Sequence, residues 1–179
     1  IPVVAPLKLR HNKSLAEFQG FRFSLFPRKG GRTPDIDDLD NLLILGRLLG
    51  RMHAVGSVKP FVQRPSIDVQ SFGHDAIHYI LSNWIPDSLK EAYETLSKDV
   101  ISLIDTIFSE VGTVIYIRVH GDCHSGNILW RDDTPHFVDL DDARLAPAVQ
   151  DIWMLLSGDR SRQTRQLAEI IDGYEEFFG

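Results

Sequence analysis

Between His120 and Asp142 the chain reads His-Gly-Asp-Cys-His-Ser-Gly-Asn-Ile-Leu-Trp and, a few residues later, Phe-Val-Asp-Leu-Asp-Asp. Carboxylates, a carboxamide and two imidazoles at this spacing suit phosphoryl transfer. That chemistry needs little covalent help: a carboxylate to orient and deprotonate the attacking hydroxyl, and hard oxygen ligands for a magnesium ion on the phosphates. Asp122 supplies the first, while Asn127 and Asp139 supply the second, so Asp122 and Asp139 are the candidate catalytic acids. Asn is apt as a ligand because its oxygen adds no negative charge beside the phosphates. His120 reads as a scaffold whose ring holds the loop, and Gly121 and Gly126 let the backbone turn where side chains converge. Three Asp residues within Asp139–Asp142 would repel one another strongly, which argues against an idle polar loop.

The same residues admit a metal hydrolase. His120, Asp122 and His124 alternate along the chain as first-row metal ligands do, and Asp139 or Asp141 could complete the set. A dense imidazole site draws on more histidines, however, and the five others of the seven are scattered. Phosphoryl transfer is the better fit.

These residues need strands to hold them. Val114–Val119, Ile128–Trp130 and Phe137–Val138 are short apolar runs bounded by polar residues, which predicts buried strands with the polar loop hung between them. A helix is expected to start at Thr33-Pro34-Asp35, with Leu39, Leu42, Leu45, Leu49 and Met52 on one face, and to end at Gly56. His53 on that helix reads as a packed residue. Residues 57–75 read as a long surface connection, and the four-residue spacing of His74 and His78 as chance. Ser88 and Glu91 form a capping-box pattern, opening a helix to Gly112 with Leu89, Tyr93, Leu96, Val100, Leu103, Ile104, Ile107 and Val111 in one stripe. Pro147 opens another helix, and a last one starts near Arg162. Toward the front, residues 1–10 suggest an edge strand interrupted by prolines. Phe21–Phe26 suggests a half-buried strand stopped by Pro27, and Arg28–Arg32 a basic connection that is either a solvated loop or a hinge.

Composition narrows the partners. With 179 residues, 43% hydrophobic and 25% charged, the chain can bury a core as one domain or as one lobe with part of another. A net charge of −6 and a pI near 5.6 argue against nucleic-acid or anionic-membrane partners. A single cysteine, Cys123, allows no internal disulfide and no Cys-based zinc site, and it reads as a packed thiol beside the base more than a redox handle. A reducing, cytoplasmic monomer is expected. The absence of an initiator Met, and an amphipathic pattern still running at the end, suggest a piece of a longer protein.

The run from His120 to Asn127, followed by Val138-Asp-Leu-Asp141, resembles the catalytic motif of aminoglycoside phosphotransferase and choline kinase relatives. With Gly46-Arg-Leu-Leu-Gly-Arg-Met-His53 upstream, it is most similar to the bacterial stress-response branch of that family. The resemblance implies an α+β, protein-kinase-like fold and ATP with Mg2+ as cofactors. It implies a serine/threonine protein kinase of the cytoplasm, the alternative being a small-molecule kinase acting on an aminoglycoside-, choline- or homoserine-like alcohol. By motif position Asp122 would accept the proton, Asn127 and Asp139 would hold the metal, and Asp151 would brace the catalytic loop. Phe21–Phe26 with Pro27 would lead into the hinge, so Phe26 and Pro27 would touch the nucleotide. The glycine-rich loop and the strand lysine of such kinases are not found: Gly30-Gly31 follows the hinge strand, and Lys8 sits in the wrong strand. Residues 1–30 are therefore expected to be a remnant of the nucleotide lobe, most of which is missing, and 31–179 the helical lobe with the catalytic loop and metal-binding hairpin. This polypeptide alone is expected to bind ATP poorly.

Overall fold

A computed structural model describes residues 3–179. Its centre is a pair of helices, α1 (Leu39–Gly56) and, far along the chain, the last one, Arg160–Glu175. They pack closely because small residues meet backbone. A Cβ on Gly46 would strike the Ile170 carbonyl, one on Gly50 the Tyr174 carbonyl, and one on Gly173 the Leu43 carbonyl. Around this contact Leu42, Leu45, Leu49, Ile170 and Tyr174 are buried. They join Cys123, Ile128, Trp130, Phe137, Ile152 and Leu155 in one core. At the exposed end, Arg47 forks onto Glu176 with nitrogen–oxygen distances of 2.7–2.9 Å.

Helix α1 starts later than Thr33. Asp38 is its cap, accepting from the Asp40 amide at 3.0 Å, while Asp35 accepts from the Asp37 amide and holds a turn in front of it. Clustered Asp side chains there bond to their own backbone, which competes with helix.

Among the described residues six short strands form three antiparallel pairs. Strands β1 (Ala16–Phe18) and β2 (Phe21–Phe23) make a hairpin turned at Gln19-Gly20, both at positive φ. The expected strand Phe21–Phe26 is thus halved. Beyond it the Leu25 carbonyl accepts from the Leu7 amide at 2.7 Å, and the Ser24 hydroxyl donates to the Ser14 carbonyl at 2.7 Å. The edge strand expected over 1–10 does not form across the described part. Val3 bridges Phe137, then Arg10–Asn12 turns with His11 at φ 61°, and Pro6 has no amide to donate to a ladder. Ile1 and Pro2 lie outside the described residues. The expected strand Val114–Val119 shortens to β3 (Ile117–Val119), which pairs a late strand, Arg144–Ala146. Between them β4 (Ile128–Arg131) and β5 (Thr134–Phe137) form the expected hairpin. Its turn, Asp132-Asp133, sits at φ 49° and 52° without any glycine, a conformation that Asp tolerates better than most residues. Arg144–Ala146 is then β6.

Residues 57–75 are more than a surface connection. Ser66 bridges Leu145 beside β6, and the Ile67 amide donates to the Leu145 carbonyl at 2.7 Å. A π-helical turn over Val69–His74 runs into α2 (Asp75–Asn83). Little of this stretch is fully buried, so no strong periodic signal marked it. Helix α3 (Asp87–Val111) begins after Pro86, and the Ser88–Glu91 box does not form. Asp87 pairs Lys90 at 2.9 Å instead. Most of the predicted stripe faces outward: Leu89, Leu96, Val100, Leu103, Ile107 and Val111 are exposed and only Tyr93 and Ile104 are half-buried, while the buried positions are Ser97 and Ile101. A five-residue α4 (Val149–Trp153) follows β6, and α5 is the last helix, Arg160–Glu175, capped by Asp159.

Candidate active site

Strand β3 delivers the catalytic loop. His120 leaves it fully buried, and Gly121 follows at φ 89°, where a Cβ would collide with the Asp142 carbonyl. Only glycine combines that dihedral with that approach. Asp122 is then half-exposed at the loop tip. A 3₁₀ turn over Ser125–Asn127 leads back into β4.

Asn127 is the lock on this loop. Its Nδ2 donates to the Asp122 carbonyl at 2.9 Å and to the Asp122 carboxylate Oδ2 at 3.1 Å. Both acceptors turn the amide so that its Oδ1 points away from Asp122, free of hydrogen bonds from the described residues. Asp122 Oδ1 is free in the same sense. One loop therefore carries both a carboxylate oxygen and a neutral amide oxygen left without a hydrogen bond from the described residues.

Asp139 comes from the far end of the hairpin, exposed and in the left-handed region at φ 60°, ψ 64°. Two bonds fasten its strand to the catalytic loop. The Val138 amide donates to the Asn127 carbonyl at 3.0 Å, and the His120 ring Nε2 donates to the Val138 carbonyl at 2.8 Å. The His120 ring thus ties the catalytic loop to the backbone of that strand. A cavity of about 780 Å3 opens beside this strand. Phe26 and Pro27, expected at the hinge, line it together with Asp139, Asp141, Lys29 and Leu129. The expected nucleotide contacts and one expected metal ligand thus share a cleft. Asp122 and Asn127 are not on its lining.

Asp151 holds the loop from below. Fully buried on α4, its Oδ1 accepts from the Gly121 amide at 2.9 Å, and its Oδ2 from the His120 amide at 2.7 Å. Oδ2 also receives Nε2–H of His53 at 3.0 Å, and His53 Nδ1 accepts from the Tyr174 hydroxyl at 2.8 Å. His53 was legible only as packed. Its position on the buried face of α1, four residues after Leu49, is the signal that could have marked it as a partner for a buried acid. Burial, followed by the Asp151 charge, raises the Tyr174 hydroxyl well above its ordinary range. Cys123 is fully buried against the same core, and burial first, then Asp151 and Asp122, pushes its thiol well above the ordinary value. It is a packed, protonated thiol.

Arg64 was missed entirely. From the segment before α2 it donates to the Asp141 carbonyl and, at 3.0 Å, to the Ala143 carbonyl, bracing the backbone that follows Asp139.

The hydrolase alternative loses its ligands here. Both ring nitrogens of His120 are turned to the backbone, and His124 Nδ1 accepts from the Gly126 amide at 3.0 Å. Among the described residues no group of three His, Cys, Asp or Glu side chains could hold a metal ion together. Asn127 and Asp139, by contrast, are oxygen donors of the hard type that magnesium takes.

Comparison with known proteins agrees with this geometry. The model of the phosphotransferase enzyme family matches residues 1–179. The chain belongs to that family. Curated relatives of this chain include stress response kinase A of Escherichia coli strain K12, 44% identical over 178 residues covering 99% of this chain and 53% of the relative. Another is the serine/threonine protein kinase RdoA of Salmonella typhimurium, 41% identical, covering 98% of this chain and 53% of the relative. The chain thus spans about half the length of the curated relatives it matches. Among solved structures it resembles amicoumacin kinase hAmiN in complex with AMP-PNP, Ca2+ and Ami, with a TM-score of 0.75 at 16% identity, covering all of this chain and 57% of that one. An AMP-bound spectinomycin phosphotransferase gives a TM-score of 0.63 at 18% identity, covering 98% and 61%. The α+β, protein-kinase-like fold is therefore present as a partial lobe, and these neighbours extend well beyond it.

Proposed function

We propose that this phosphotransferase chain is the catalytic lobe of an ATP- and Mg2+-dependent kinase that acts on serine or threonine hydroxyls of proteins. The observation that carries it is the Asp122–Asn127 pair. Asn127 ties down Asp122 Oδ2, so Oδ1 is the oxygen presented to an incoming hydroxyl. Asp122 Oδ1 accepts the hydroxyl proton as the oxygen attacks the γ-phosphate. Asn127 Oδ1 and Asp139 would hold magnesium, which neutralises charge on the phosphates when bound. Phe26 and Pro27 would bound the nucleotide from the hinge side. Residues 1–30 would belong to the nucleotide lobe and 31–179 to the helical lobe. Asp151 and His120 keep the loop's backbone in place throughout.

The protein acceptor rests on the relative at 41% identity that is named a serine/threonine protein kinase. A role in stress response rests on the name of the Escherichia coli relative, and a cytoplasmic setting is proposed with it. Transfer to a small hydroxylated molecule is the second reading, favoured by structural neighbours that are an amicoumacin kinase and a spectinomycin phosphotransferase.

The test is transfer of label from γ-labelled ATP with Mg2+ by the complete protein carrying this chain, offered casein and a panel of small alcohols. Labelled Ser or Thr, lost in Asp122→Asn, supports the proposal. Label in an alcohol alone would sink the protein-kinase reading in favour of the second one, and no transfer to either sinks both.

A further inference from the structure

His124 belongs to neither the scaffold nor the metal site. It caps the 3₁₀ turn, its Nδ1 accepting from the Gly126 amide at 3.0 Å. A ring nitrogen that accepts a backbone N–H carries no proton, so the proton is on Nε2. That Nε2 stands 3.5 Å from Asp122 Oδ2, the oxygen Asn127 already engages at 3.1 Å. Both side chains stay partly exposed, at 47% for His124 and 38% for Asp122. A protonated Nε2 cannot ligate a metal, but it can donate.

We infer that His124 is a positioning residue for the base: its Nε2–H and the Asn127 amide clamp Asp122 Oδ2 from two sides and leave Oδ1 to the acceptor hydroxyl. The inference rests on the phosphoryl-transfer reading above. The separation of 3.5 Å is at the outer edge of a hydrogen bond, and such contacts tighten when substrate binds. Without the second donor, Asp122 can rotate about a single bond to Asn127, and misplacement of a reacting group by about 1 Å costs on the order of a hundredfold in rate. Among the described residues no Lys or Arg is paired with Asp122, and its polar side-chain partners are Asn127 and His124, with the His120 ring facing its amide.

Two substitutions separate the cap from the clamp. In His124→Asn the side-chain oxygen takes the place of Nδ1 and keeps the cap, but nothing reaches Asp122. In His124→Gln the amide nitrogen reaches where Nε2 was, while the cap is lost. The experiment measures kcat and the KM for ATP of the complete protein on whichever acceptor it labels, with melting temperatures alongside. The expected order of kcat is wild type, then Gln, then Asn, with Asn down by about tenfold or more, KM for ATP unchanged, and Asn the better folded of the two. If Asn is as active as Gln or more so, His124 serves only the cap and the inference is overturned. If the wild type labels no acceptor at all, the phosphoryl-transfer reading fails first and takes this inference with it.

Discussion

His53 on α1 and Asp151 on α4 meet at 3.0 Å between Nε2 and Oδ2, both side chains wholly buried. The same carboxylate takes the amides of His120 and Gly121, so a contact in the helical core sets the start of the catalytic loop. Tyr174 on α5 closes the chain of bonds from the other side of His53.

Removing one partner of that contact leaves the other buried with unmet bonds. His53→Ala is expected to destabilise by about 3–5 kcal/mol. The check is urea unfolding followed by circular dichroism, where the midpoint falls while the slope holds. A midpoint within error of wild type would mean that Asp151 is satisfied without the ring.

Asp122→Asn is nearly isosteric and touches no core atom. It is expected to lower kcat by roughly 10²–10⁴-fold at an unchanged melting temperature, the range for loss of a general base. Asn127→Ala is expected to cost activity and also raise the magnesium concentration needed for half-maximal rate, because it removes both the lock on Asp122 and a ligand oxygen. A magnesium titration of the two variants separates them. Equal magnesium requirements would take Asn127 out of the metal site.

Gly173→Ala tests the helix contact. The added methyl meets the Leu43 carbonyl of α1, which is backbone and cannot swing away. A loss of about 1–3 kcal/mol or more is expected, read as a lower melting temperature. Gly30→Ala, where a Cβ meets nothing within 4 Å, is the control.

Tyr174 makes stability depend on alkaline pH. Burial raises its folded value above the ordinary 10.0. Above pH 10 the unfolded chain therefore binds fewer protons than the folded one, and stability falls as pH rises, by up to about 1.4 kcal/mol per unit for this one group. Its contribution is complete below pH 10. Tyr174→Phe is expected to lose about 1 kcal/mol at neutral pH, from the bond to His53, and to show a shallower decline above pH 10. Denaturant midpoints at pH 7 through 11 supply the comparison, and parallel alkaline slopes would remove Tyr174 from the account.

Cys123 is expected to resist a thiol-specific reagent in the native protein and to react fully in denaturant. Burial withholds it from the reagent, and the raised thiol supplies almost no thiolate. Rapid native labelling would show the core opening beside Asp122.

Much of the site was legible along the chain because its groups are local. Asp122, Asn127 and Asp139 lie within 18 positions and are joined by one loop and one hairpin. Strand–turn–strand periodicity with an Asp-Asp turn is a short-range property that the residues themselves impose. Helices α1, α3 and α5 were legible by their spacing of Leu and Ile.

What stayed hidden was decided over long separations. That His53 would find Asp151, 98 residues away, depends on Gly46, Gly50 and Gly173 letting α1 lie against α5, and no local pattern encodes which helix meets which. The start of α1 moved from Thr33 to Leu39 because Asp35 and Asp38 bonded their own backbone. Arg64 acquired its place only when the chain from Pro65 to Ile67 bonded β6. The sequence by itself determined the acids, the amide and the turns that present them, because side-chain chemistry and backbone preference are local. The tertiary structure decided which buried groups satisfy one another, because an acid withdrawn from water must take its partners from whatever the packing brings within about 3 Å.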